Sequence, residues 1–348
     1  MILEQIEQSI QERIKKGNLR VLSPSNGLID FASNDYLGLG KSCSSGGTGP
    51  SGSRLLTGNS EDAEALEAEL AYLHGYESAL LFGCGYLANI GVLSALGRLN
   101  GSVILYDARI HASSHDGMRL ARAKCYPFRH NDMGHLEWRL QKIGKGAIIC
   151  IESVYSVDGS IAPLPAIALL AEKYGAYLII DEAHAIGVIG PYGLVAQQHL
   201  QKKVFAQVIT FGKGVGAYGA AILGSKKLKT FLLNFARSCI YTSALPPHAI
   251  AAIKAAYEKL PKLHQERAHL HHLCQLLGFS KTPIQPFYIP GNERVSMASK
   301  ALSLAGFDVR ALKSPTTAAG DELLRIVLHT FNSVEEVMRL KKELAIWA

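Results

Sequence analysis

The sequence predicts an α/β chain: a large, doubly wound, mainly parallel-sheet domain followed by a smaller C-terminal α+β domain. Three observations carry this. Apolar runs that read as buried strands recur at Ala79–Phe82, Val103–Tyr106, 146–152, Tyr177–Ile180 and Val204–Ile209, separated by helical or Gly-rich stretches. Such runs are continuously apolar rather than alternating, the pattern of parallel strands covered by helices on both faces. The pattern then changes at Leu245-Pro246-Pro247, where a long helical stretch, His248 to Leu277, precedes renewed alternation of strand and helix. The division expected is an N-terminal arm (1–40), a large domain (41–245) and a small domain (246–348).

Composition sets the bounds. A chain of 348 residues, 48% hydrophobic and 19% charged, has an ordinary globular balance and room for a large core. The net charge of +7 is spread along the chain. That argues against a nucleic-acid partner and suits an anionic substrate such as an acyl-CoA. The six cysteines (43, 84, 125, 150, 239, 274) form no C-x-x-C and no zinc spacing with histidine, which fits a reducing cytoplasm and no metal. Glu4, Glu7 and Glu12 interrupt the N-terminus, so no secretory signal is expected. No apolar run reaches transmembrane length, so no membrane partner is expected either.

In chain order, Ile2, Leu3, Ile6, Ile10 and Ile14 fall at helical spacing and Gly17 ends the run, predicting an arm helix over 2–16. Arg20 follows in a polar link, where spacing alone reads as a solvated side chain. Leu28 to Ala32 is a short strand that runs into Ser33-Asn34-Asp35, a turn or cap signal. The Asn34 amide suits a cap first and a carboxylate second. Residues 41–60 are dense in Gly and Ser, a loop rather than a linker, because helical patterning resumes at 61–74 with acidic residues in its first turn.

The strand Ala79–Phe82 leads into G-C-G-Y-L-A-N, which opens a helix and fits the relaxed dinucleotide pattern, with Asp107 about twenty residues on. Backbone N–H groups of Gly85 and Tyr86 at a helix N-terminus suit a phosphate, single or double. His111 and His115 follow the strand Val103–Tyr106, at the edge where α/β sheets bind ligands. An imidazole at 111 can stack on a flat ring, although a surface or capping histidine has the same signature. After the strand 146–152, Ser156 is a phosphate or ring contact and Asp158-Gly159 is a turn. A helix over 163–174 opens on prolines.

Beyond Leu245, the histidines at 264, 269, 271 and 272 read as a solvated helix face. The segments 284–289, 307–312 and 323–328 read as strands, and 293–305 as a helix. Ser333 and Glu336 are spaced as a capping box. Arg325 interrupts an apolar strand and is either paired or bound to a carboxylate.

The chemistry centres on V-I-T-F-G-K-G-V-G, residues 208–216, with Lys213 set between glycines. A partly desolvated lysine loses its proton more readily, and its neutral amine can form a Schiff base. Upstream, a strand ends on Asp181, with His184 three residues later. A carboxylate at the end of a core strand needs a cationic partner. A protonated pyridine nitrogen is one, and at an effective dielectric near 20 the pair is worth about 4 kcal/mol. Asp, His and Lys in this order point to pyridoxal phosphate.

These motifs, N-D-Y-L-G-L, S-G-S-R-L-L-T-G, D-E-A-H, T-F-G-K-G-V-G and I-Y-T-S-A-L-P-P, resemble those of the α-oxoamine synthases. The resemblance spans nearly the whole chain. It implies the type I fold of pyridoxal-phosphate transferases, as in aspartate aminotransferase, and a homodimer with the active site between subunits. By the same resemblance Lys213 bonds the cofactor, Asp181 pairs with its pyridine nitrogen, and His184 bonds the ring hydroxyl. His111 stacks on the ring, while Ser156, Thr210 and the backbone of Gly85 and Tyr86 hold ring and phosphate. Asn34 and Arg325 face the amino-acid carboxylate, and Arg20 and Thr316 match acyl contacts. The implied reaction joins L-alanine to a pimeloyl thioester, carried on CoA or on an acyl carrier protein, with loss of CO2, as in biotin biosynthesis.

Two departures from the family pattern fall near the expected acyl entrance: a short segment between Gly40 and Gly46, and Lys313 in place of an arginine. Three other readings are set against this one. Glycine with acetyl-CoA is the nearest, suited by H-A-S-S-H-D-G-M-R-L-A-R-A-K. A dinucleotide-dependent oxidoreductase leaves Asp181, His184 and Lys213 unexplained. A non-catalytic interaction module requires that Lys213 be dispensable.

Overall fold

The structure, a computed structural model, describes residues 14–17, 29–31, 36–37 and 52–348. Arg20, Asn34, the 40–46 segment and most of the expected arm helix lie outside these residues. Contacts group the chain into two units: Leu37–Ser156 with Ser160–Arg267, and Met1–Tyr36 with Val157–Gly159 and Ala268–Ala348.

The larger unit is built on a seven-stranded sheet in the order β2-β8-β7-β6-β5-β3-β4. These strands are β2 (Ser78–Phe82), β3 (Val103–Asp107), β4 (Lys124–Phe128), β5 (Ile148–Glu152), β6 (Tyr177–Asp181), β7 (Ala206–Thr210) and β8 (Ala220–Gly224). The pairs β4·β3, β3·β5, β5·β6 and β6·β7 are parallel. The antiparallel exceptions both involve β8, which pairs with β7 and β2.

Successive residues of a strand point to opposite faces, and the core divides accordingly. Ile104, Ile148, Cys150, Ile179 and Val208 pack with Val92, Leu93 and Leu96 of helix Gly85–Leu96 and with Leu228 and Leu232 of helix Lys226–Phe235. Their neighbours Leu105, Ile149, Ile151, Leu178 and Ile180 pack instead with Leu136 and Leu140 of helix Met133–Ile143 and Ile167 of helix Leu164–Tyr174. The strands are therefore apolar on both faces, which is why they read as unbroken hydrophobic runs.

Strand β4 carries no such signal. Its sequence K-C-Y-P-F is largely exposed, and it sits at the sheet edge, where a proline costs no interior ladder bond. Helix Glu61–His74 is bounded as its sequence predicts: Ser60 accepts from the Ala63 N–H, and Gly75 closes it at φ 75°.

The predicted helical stretch 248–277 is two helices, Pro247–Lys259 and His264–Leu277. A 3-10 turn, Leu260–Lys262, containing Pro261, separates them.

In the smaller unit, β1 (Ile29–Asp30) pairs parallel with β10 (Phe307–Asp308). Strands β9 (Ile284–Tyr288), β12 (Leu323–Val327) and β11 (Arg310–Leu312) form an antiparallel sheet in the order β11-β12-β9. The expected strand over 307–312 is thus split between two sheets. The capping box at Ser333 and Glu336 is present and opens helix Val334–Leu344. Gly159 adopts φ 69°, and a Cβ there would lie 2.3 Å from Thr282 Oγ1, so this turn accepts only glycine without rearrangement. Among the described residues no helix is long and apolar enough to cross a membrane.

Candidate active site

The C-terminal ends of the parallel strands carry the polar groups. Asp181 ends β6, Thr210 ends β7, and His111 and Ser156 lie shortly beyond β3 and β5. Lys213 sits in the tight connection between β7 and β8. That loop is held by Phe211 N–H to Gly219 O (2.9 Å), Ala217 N–H to Phe211 O (2.8 Å) and Gly216 N–H to Lys213 O (2.9 Å). A Cβ on Gly214 would come within 2.4 Å of the Ile186 carbonyl. Close backbone approach is the reason for a glycine there, and it presses the lysine loop against the turn that carries His184. Lys213 Nζ lies 2.8 Å from His184 Nε2.

Asp181 is nearly buried and accepts two hydrogen bonds, from Asn89 Nδ2 (2.7 Å) and the Ala183 N–H (2.9 Å). Asn89 belongs to helix Gly85–Leu96, whose start brings a second feature to the site. Its N-cap, Cys84, makes no side-chain cap, so the first-turn N–H groups at Gly85 and Tyr86 are not engaged by it. A Cβ on Gly85 would lie 3.3 Å from Thr210 Cβ, which places this helix start directly beside the end of β7.

His111 caps helix Ala112–Leu120, its Nδ1 accepting from the Ser113 N–H (3.2 Å) and lying 2.8 Å from Ser113 Oγ. The Tyr86 ring stands edge-on to it, centroids 6.3 Å apart. Burial holds the His111 imidazole below the usual histidine range, opposed by the charge of Asp181 and assisted by Lys213 and His115. Glu152 ends β5 in register with Asp181 and accepts from the Ser156 N–H (3.2 Å). Burial, and then the Asp181 charge, push its carboxyl up to about 8, so it is protonated at neutral pH. Both His111 and Glu152 feel Asp181 and Lys213, which places these four side chains in one electrostatic neighbourhood.

The larger unit thus brings together Gly85, Tyr86, His111, Ser156, Asp181, His184, Thr210 and Lys213. Arg325 and Thr316 belong to the smaller unit. Arg325 lies on β12 and hydrogen-bonds the Tyr36 hydroxyl. Thr316 is exposed, follows the cis Ser314–Pro315 bond and donates its N–H to Lys313 O (2.8 Å). Two residues that sequence reasoning did not single out, Asn89 and Glu152, complete the surroundings of Asp181. Among the described residues no group of three or more His, Cys, Asp and Glu side chains is placed to hold a metal ion.

The model of the aminotransferase class I and II family matches residues 26–338. The chain belongs to this family. Among curated relatives, the 8-amino-7-oxononanoate synthase of Emericella nidulans is 35% identical over 97% of this chain and 93% of its own length. That of Marinobacter nauticus is 37% identical over 91% and 86%. Among solved structures, the Sphingomonas wittichii serine palmitoyltransferase superposes with a TM-score of 0.87 at 29% identity, covering 99% of this chain and 97% of that one. The Francisella tularensis 8-amino-7-oxononanoate synthase gives 0.79 at 25%, covering 92% and 98%. A serine palmitoyltransferase structure holding pyridoxal phosphate as its internal aldimine gives 0.88 at 27%, covering 99% and 98%.

The cofactor of this family member is pyridoxal phosphate, and the residues present fit it. Lys213 offers a partly buried amine, Asp181 a hydrogen-bonded carboxylate for a pyridinium, and Gly85 and Tyr86 helix-start amides for a phosphate.

Proposed function

We propose that this protein condenses L-alanine with a pimeloyl thioester, releasing the thiol and CO2 and yielding 8-amino-7-oxononanoate. Curated relatives of that name at 35% and 37% identity over nearly the whole chain support the reaction. The 2.8 Å approach of Lys213 Nζ to His184 Nε2, beside buried Asp181, is the structural observation that carries it.

When bound, pyridoxal phosphate supplies an electron sink for negative charge at the Cα of the amino acid. In this reading Lys213 would bond the cofactor, and its amine would move the Cα proton. Asp181 keeps the pyridine nitrogen protonated, and His184 orients both the ring hydroxyl and the lysine. His111 covers the ring face and polarises the thioester carbonyl. Ser156, Thr210 and the amides of Gly85 and Tyr86 hold the ring and phosphate. Asn34 and Arg325 hold the amino-acid carboxylate, and Arg20 and Thr316 the acyl chain. The reading carries a homodimer with the site at the subunit interface, a cytoplasmic setting, and CoA or an acyl carrier protein as the acyl carrier released as free thiol. Leu56, Tyr218 and Tyr241, 81%, 62% and 71% exposed, are apolar surface suited to such an interface.

One observation favours a second reading. The serine palmitoyltransferase fold superposes more closely, with a TM-score of 0.88 against 0.79. A thiol-release assay with alanine, glycine and serine against pimeloyl, acetyl and palmitoyl thioesters separates the readings. The alanine–pimeloyl pair is expected to give the highest kcat/KM. A higher value for serine with palmitoyl, or for glycine with acetyl, overturns the assignment.

A further inference from the structure

Asp181 is one of two carboxyl groups that end neighbouring parallel strands. Its partner in register is Glu152, and both are buried. Two such groups do not both ionise readily in a site shielded from water. Their hydrogen bonds differ. Asp181 receives N–H donors on each oxygen, Ala183 on Oδ1 and Asn89 on Oδ2. Glu152 is bonded by the backbone N–H groups of Ser156 and His111, and its Oε1 has no hydrogen-bond partner.

Asn89 does more than donate to Asp181. The same Nδ2 lies 3.0 Å from Ser113 Oγ, which in turn lies 2.8 Å from His111 Nδ1. Asn89 is 2% exposed and Ser113 0%, so water does not compete for these bonds. The chain Asp181–Asn89–Ser113–His111 therefore joins the carboxylate at the end of β6 to the imidazole beyond β3. The other titratable groups around Asp181 are Cys150, Glu182, Glu152, His111 and, through the last two, Lys213. Glu182 is held separately by Leu194 N–H, Val195 N–H and Gln207 Nε2.

We propose that Asn89 is a positioning residue that makes Asp181 the ionised member of the Asp181–Glu152 pair and, through Ser113, sets the orientation of His111. Removing the amide leaves Asp181 with one donor and frees the proton to move from Glu152 to Asp181. It also unfastens the imidazole from the carboxylate. This rests on the reading of Asp181 as the partner of the cofactor's ring nitrogen.

The test uses two readouts. The first is 13C NMR of side-chain carboxyls and histidine imidazoles in the cofactor-free protein, with Asp181→Asn, Glu152→Gln and His111→Gln supplying assignments. The second is the affinity for pyridoxal phosphate, by fluorescence titration. In Asn89→Ala, Asp181 is expected to hold its proton to a pH about one unit higher, and cofactor affinity to fall about tenfold. In Ser113→Ala, the His111 titration is expected to move while that of Asp181 stays. Should Asn89→Ala not fold, Asn89→Ser, which cannot span to Asp181, takes its place. An unchanged Asp181 titration in the Asn89 variant, or an unchanged His111 titration in Ser113→Ala, overturns the proposal. Failure of the underlying reading shows differently, as Asp181→Asn binding pyridoxal phosphate with wild-type affinity.

Discussion

Lys213 Nζ and His184 Nε2 lie 2.8 Å apart, on two turns that a close glycine contact presses together. One hydrogen is shared between two nitrogens, so at least one of them is unprotonated. An ammonium facing an imidazolium has no bond to make and only repulsion. The lysine amine is thereby held beside an acceptor and oriented before any ligand arrives.

Lys213→Ala is expected to lower turnover by about a thousandfold or more, since the same amine bonds the cofactor and moves a proton. Borohydride treatment followed by mass spectrometry checks the covalent part. The wild-type protein should retain the cofactor mass on the peptide containing residue 213, and the variant should not. Cofactor mass on a different lysine would displace Lys213 from its role.

Glu152 gives the stability a slope on the neutral side. Its carboxyl titrates near 8 when folded, against an ordinary 4.5. Between those values the folded state holds a proton that the unfolded state has released, so its contribution to stability is present below pH 4.5 and is lost as pH rises towards 8. Glu152→Gln, neutral throughout, is expected to flatten that part of the curve. Urea denaturation of the cofactor-free protein at several pH values measures it. A slope unchanged by the substitution would place the titration elsewhere.

His74 acts on the acid side. It closes helix Glu61–His74, is 1% exposed, and lies with Nε2 3.0 Å from the Tyr257 hydroxyl. Burial lowers its pKa from 6.5 to about 3. Below pH 6.5 the unfolded chain takes up a proton that the folded one refuses, so stability falls with pH down to about 3. The full loss is on the order of 5 kcal/mol. His74→Gln is expected to lose most of this acid dependence, whatever its effect at neutral pH.

Glu67 is the third buried carboxylate with a testable role. It is 1% exposed and takes Arg54 Nη1 (2.7 Å), Lys229 Nζ (2.7 Å) and the Leu81 N–H (2.8 Å). These bonds tie helix Glu61–His74 to β2 and to helix Lys226–Phe235. Glu67→Ala leaves two cations facing each other, one of them nearly buried, and is expected to cost about 3–5 kcal/mol. The denaturation midpoint reports it. A change within about 0.5 kcal/mol would mean that the site refills with water at little cost.

The buried strands were legible because both of their faces are covered, so every residue from Ile148 to Ile151 and from Leu178 to Ile180 had to be apolar. Local signals also marked the span of helix Glu61–His74, through its acidic first turn, and the Ser333–Glu336 box, since helix ends are set by the residues next to them. Strand β4 was not legible, because an exposed edge strand with a proline has no hydrophobic pattern to read. The break at Pro261 was passed over because apolar helical spacing continues on either side of it.

By itself the sequence determined the alternation of strands and helices, and the order Asp181, His184, Lys213 that names the chemistry. The alternation depends on neighbours a few residues apart, and the order of the three side chains is read directly along the chain. Tertiary structure decided which side chains surround Asp181. Asn89 lies 92 positions away along the chain, and Glu152 meets it only through strand register. A buried polar residue inside a helix or at a strand end looks alike in sequence whether it caps, packs or supports a site. Only the folding of β5, β6 and the helix that begins at Gly85 around one point assigns its partner.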